Sequence, residues 1–84
     1  MKRSLANQIA KLWNDKHVGS YEPTKTVANV VCGGDDFAVE IHASGYNDGL
    51  SFHYGTELAS MEQAFKVSAY VTQDEEHKLY ARIF

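Results

Sequence analysis

The chain has 84 residues, room for one small domain, and its 44% apolar and 23% charged content with a net charge of −3 excludes a disordered tail and a strongly basic nucleic-acid or lipid binder. A single cysteine excludes an internal disulfide framework. The basic start Met1-Lys2-Arg3-Ser4 runs into Asn7, Gln8, Lys11 and Asn14, which leave no continuous apolar signal segment, and no stretch reaches membrane-spanning length, so the expected location is cytoplasmic.

Leu5, Ile9, Leu12 and Trp13 fall at i, i+4, i+7 and i+8, the stripe of an amphipathic helix. The expected helix runs from Ser4, as its cap, to His17, and ends before Gly19 and Pro23. Lys2, Arg3, Lys11 and Lys16 give it a basic exterior. His17 to Lys25 reads as a loop, and the β-branched run Thr26 to Cys32 as a strand. Gly33-Gly34-Asp35-Asp36 is a turn into a second strand, Phe37 to Ala43.

The alternation Phe37, Val39, Ile41, Ala43, then Leu50, Phe52, Tyr54 across the turn Ser44 to Gly49, predicts another hairpin. Tight pairing sets Val30 across from Val39 and Ile41 across from Phe52, with Ala28 and Cys32 on the same buried face. Ser60-Met61-Glu62-Gln63 matches a capping box and predicts a helix to about Gln73, with Met61, Ala64, Phe65, Ser68 and Ala69 inward. Asp74, Glu75 and Glu76 oppose the negative end of a helix dipole and stop it. Lys78 to Phe84 alternates and reads as a fourth strand, with a continued helix as the rival. The expected fold is a two-layer α+β domain of order α-β-β-β-α-β, two helices on one face of a three- to four-stranded antiparallel sheet.

This pairing gathers Glu40, His42 and His53 on the exposed face, with Glu40 opposite His53 and His42 opposite Ser51. Two imidazoles and a carboxylate can ligate a metal or act as acid and base, so a small metal-dependent enzyme is one alternative. A flat sheet face excludes little water, however, and the expectation is no catalytic residue, no metal and no cofactor. The same face reads better as a contact surface, where Val27, Val31, Tyr80 and Phe84 join Glu40, His42, His53 and Arg82. Cys32 is expected to be an inert core thiol. Asp35-Asp36 and Asn47-Asp48-Gly49 lack the spaced oxygen set of a calcium loop, and Gly33-Gly34 does not precede a helix that would cradle phosphate.

Over about Ser4 to Thr72 the order α-β-β-β-α resembles the double-stranded RNA-binding domain. That family carries a lysine cluster at the start of its second helix, where this chain has Ala59-Ser60-Met61-Glu62-Gln63. Binding of nucleic acid through Lys2, Arg3, Lys11 and Lys16 is therefore an alternative, not the expected role. In size, acidity and layout (Leu5–Trp13, Thr26–Cys32, Phe37–Tyr54, Met61–Thr72) the chain also resembles small phage-encoded inhibitors, including anti-CRISPR proteins. That resemblance implies a non-catalytic protein that blocks a larger host complex by binding it. Its expected contacts are Glu40, His42, His53, Tyr80 and Arg82 on the sheet face, with Asp74, Glu75 and Glu76 facing a basic partner surface. A homodimer is compatible with this reading.

Overall fold

Ala6, Ile9, Ala10 and Trp13 recur at helical spacing and all are buried, which fixes the inward face of the first helix, α1 (Arg3–His17). Leu12, expected inward, is 48% exposed; the small Ala6 and Ala10 let the helix sit close to the sheet in its place. The cap is Lys2, not Ser4, and it makes no side-chain capping bond. Met1 instead exchanges two backbone hydrogen bonds of 2.9 Å with Phe37, which ties the first turn to the sheet.

The computed structural model describes residues 1–18, 24–45 and 49–84, with backbone alone at 24, 44–45, 49 and 51–53. Most of the expected loop His17 to Lys25, and the heart of the turn Ser44 to Gly49, lie outside the described residues. β1 (Thr24–Gly33) and β2 (Asp36–Gly45) form a hairpin in which Val30 does pair with Val39. Its loop is Gly34-Asp35; Gly34 has φ +70, the left-handed conformation that a tight hairpin loop demands of its first residue.

The third strand expected at Leu50 to Tyr54 is absent. Those residues open the second helix, α2 (Gly49–Phe65), because Leu50, Tyr54, Leu58 and Met61 form a buried stripe of helical period. Ile41 accordingly pairs with Ala81 and Ala28, not with Phe52. Ser60 lies inside this helix and its hydroxyl donates to the Thr56 carbonyl at 3.0 Å, so the capping-box pattern marks no start. Lys66 ends the helix at φ +55, and the Val67 N–H reaches back to the Glu62 carbonyl at 3.2 Å, the six-to-one bond of a Schellman motif.

Beyond Lys66 the chain turns to strand, not helix. β3 (Ala69–Gln73) and β4 (Leu79–Ile83) make a second hairpin. Its turn is organised by Asp74, whose Oδ1 accepts the N–H of Glu76 and of Lys78, each at 2.9 Å. The sheet order is β1-β2-β4-β3 with every neighbouring pair antiparallel. The element order is therefore α-β-β-α-β-β, which removes the α-β-β-β-α succession shared with the double-stranded RNA-binding domain.

The α+β class with two helices over an antiparallel four-stranded sheet stands. Both helices lie on one face, α1 against β1 and β2, α2 against β3 and β4. Trp13, Ile9, Val39, Ile41, Leu50 and Ile83 fill the space between the layers. No helix among the described residues is long and apolar enough to cross a membrane.

Candidate functional site

Because side chains alternate along a strand, burying Ala28, Val39, Ile41, Ala81 and Ile83 under the helices forces their neighbours through to the other face. The register sets these out in rows running from β1 to β3. Val27, His42, Tyr80 and Thr72 make one row, and Asn29, Glu40, Arg82 and Tyr70 the next. Val31 and Ala38 start a third, completed by Phe84, whose backbone pairs with Ser68 just beyond the hairpin. Val27, Tyr70 and Phe84 are 55%, 44% and 51% exposed, so three of the five exposed large hydrophobic side chains among the described residues share this face; the other two, Leu12 and Val18, belong to α1 and its end.

Glu40 organises the polar middle. Its Oε2 accepts an N–H of Arg82 at 2.9 Å, and its Oε1 accepts the Nε2–H of His42 at 3.2 Å. The Glu40 side chain is only 19% exposed, so the ion pair with Arg82 is partly shielded from water. His42 stacks on Tyr80 with ring centroids 5.1 Å apart, and Tyr70 meets Phe84 edge-on at 5.3 Å. Beside the second pair, Met1, Asp36, Phe37, Ala38 and Arg82 help line an open concavity of about 340 Å³.

Four of the expected contact residues, Glu40, His42, Tyr80 and Arg82, are thus brought together. His53 is not among them, since it belongs to α2 on the opposite side of the sheet; Glu40 faces Arg82 and His42 faces Tyr80 instead. The strand pairing that was to set Glu40 against His53 is therefore not formed. Among the described residues no three His, Cys, Asp or Glu side chains gather as a metal site.

Asp74, Glu75 and Glu76 sit in the β3–β4 turn, at the opposite end of the sheet from Asp35 and Asp36. Asp74 is committed to that turn, and Glu76 pairs with Lys78 at 3.3 Å. Cys32 is exposed, not a core thiol: it sits at the end of the edge strand β1 beside the hairpin loop, where its thiol donates to the Gly34 carbonyl at 3.1 Å.

No known protein family, curated protein or solved structure matches this chain.

Tyr70 and Thr72 are the face residues that a helix to Gln73 hid; the β-rich run Tyr70-Val71-Thr72 was the signal for them. A second cluster also escaped sequence reasoning. The His17 Nε2–H donates to the Glu57 carboxylate at 3.1 Å, in a setting where the two side chains are 10% and 16% exposed. The His17 ring lies 4.7 Å from Trp13 and 5.1 Å from Tyr54, and Lys16 reaches Glu57 at 3.1 Å. This group joins the end of α1 to α2. It also uses Lys16 in an ion pair, as Lys11 is used by Asp15 at 2.6 Å, while Arg3 lies over the Phe37 ring at 5.0 Å. The basic exterior of α1 is largely paired within the molecule.

Proposed function

We propose that this chain is a non-catalytic protein-binding module that acts through its open sheet face. The observation that carries the reading is the exposure of Val27, Tyr70 and Phe84 around the shielded Glu40–Arg82 pair, on the side of the sheet that neither helix covers. Aromatic and aliphatic side chains around an arginine are the usual make-up of a protein-interface centre. Tyr70 and Phe84 would anchor, and the Tyr80–His42 stack would extend the contact.

Acidic groups at the two ends of the sheet, Asp35 and Asp36 at one and Glu75 and Glu76 at the other, favour a partner whose contact surface is rimmed with basic residues. A small acidic protein of this form would inhibit a larger complex by occupying its working surface, as phage-encoded inhibitors of the anti-CRISPR type do. The acidic balance and the internal pairing of Lys11 and Lys16 argue against a nucleic-acid partner.

Affinity capture from the native host tests this. The wild-type chain and a Leu12→Ser variant, altered in the apolar concavity that Leu12 shares with Met61 and Phe65 on the helical side, should retain the same protein. Tyr70→Ala combined with Phe84→Ala should lose it while the chain stays folded, its midpoint lowered only by the loss of their edge-on contact. Retention by the double variant, or loss with Leu12→Ser, would refute the assignment to the sheet face.

A further inference from the structure

β1 is an edge strand, and its free side is closed at one point by a side chain. The Asn14 Nδ2–H donates to the Ala28 carbonyl at 2.9 Å, and the Asn14 Oδ1 accepts the Ala28 N–H at 2.8 Å. A residue's backbone N–H and C=O point to the same side of an antiparallel strand, and the side alternates along it. Ala28 therefore faces away from β2, and so do the backbone groups of Thr26, Val30 and Cys32. One carboxamide donor and one acceptor are what a residue of a further strand would offer Ala28. The Trp13 Nε1–H, donating to Thr26 Oγ1 at 2.9 Å, holds this part of α1 against the same strand.

Such an edge invites pairing. β1 has ten residues, it is rich in valine and threonine, and Lys25 is its one charged side chain. We propose that Asn14 is an edge guard, standing in for a neighbouring strand and keeping β1 from pairing with β1 of a second copy. The second copy is the occupant that fits the excluded place. Two β1 strands related by a twofold axis and paired antiparallel about Ala28 set Lys25 of each across from Val31 of the other. No like charges then meet, and the backbone groups of Thr26, Val30 and Cys32 also find partners. This concerns the edge of the sheet and is independent of any partner on its open face.

Amide exchange and oligomeric state together test it. In the wild-type protein the Ala28 amide should exchange slowly although it lies on an edge, while the Val30 amide exchanges fast, and the protein should be monomeric by light scattering. In dilute, monomeric protein Asn14→Ala should speed Ala28 exchange about tenfold, the loss of the one hydrogen bond that the Ala28 N–H makes, and at rising concentration it should give a dimer in which the Ala28 and Val30 amides become protected. Val30→Pro added to Asn14→Ala should restore the monomer, because the Val30 N–H faces the open edge and proline removes it without breaking a bond inside the sheet. If Asn14→Ala does not fold, Asn14→Leu, which keeps the bulk of the side chain and removes acceptor and donor alike, carries the same comparison. A folded Asn14 variant that stays monomeric at every concentration would overturn the proposal. So would a dimer indifferent to Val30→Pro, or an Ala28 amide that exchanges as fast as that of Val30 in the wild type.

Discussion

Glu40 is the side chain on which the open face depends. It divides its two oxygens between Arg82 and His42, and its low exposure means that water does not simply replace a lost partner. Truncation leaves the Arg82 guanidinium without its carboxylate and frees His42 from one of its two restraints, the other being the Tyr80 ring. Glu40→Ala should therefore destabilise the fold by about 1–2 kcal/mol, between an exposed ion pair and a fully buried one. Urea unfolding measures this, and a midpoint unchanged from the wild type would show that the face is not held by this pair. The outward placement of Glu40, His42, Tyr80 and Arg82 could be read beforehand, since alternation within a strand needs no knowledge of its neighbours. The partner of each could not, because pairing depends on which strand arrives alongside.

That distinction is larger at the level of elements. Leu50, Phe52 and Tyr54 satisfy a period of two over only five residues, and Gly55 then looks like the end of a strand. The helical stripe Leu50, Tyr54, Leu58 and Met61 runs through twice that length and prevails, because it buries four large side chains against the sheet. Gly55 is then an interior helix residue kept despite its poor propensity, and a Cβ built there meets nothing within 4 Å. Gly55→Ala should raise stability by about 0.5–1 kcal/mol and raise the thermal midpoint. A lower midpoint would mean that α2 needs the glycine for some reason other than its fold. The helix expected to run through to Gln73 failed for a related cause. Lys66 takes the left-handed conformation that glycine usually supplies, so no residue type announced the stop.

At the scale of the whole molecule, the arrangement follows from having two amphipathic helices and one sheet. Both helices bury their stripes on the same face, and nothing in the described chain is left to cover the other. The layer count and the α+β class were legible for that reason: three apolar surfaces have few ways to meet. The strand order β1-β2-β4-β3 was not, since it rests on a crossover through α2 that the misread hairpin concealed. With Asp74 engaged in its turn and Glu76 paired with Lys78, any steering of the proposed basic partner would rest on Glu75 at that end and on Asp35 and Asp36 at the other. Side-chain footprinting of the complex with the captured partner examines the open face itself. Tyr70, Tyr80 and Phe84 should become protected while Leu12 keeps the reactivity it has in the free protein. Unchanged labelling of the three aromatic residues, with protection confined to the helical layer, would place the binding surface on the wrong side of the sheet and contradict the reading.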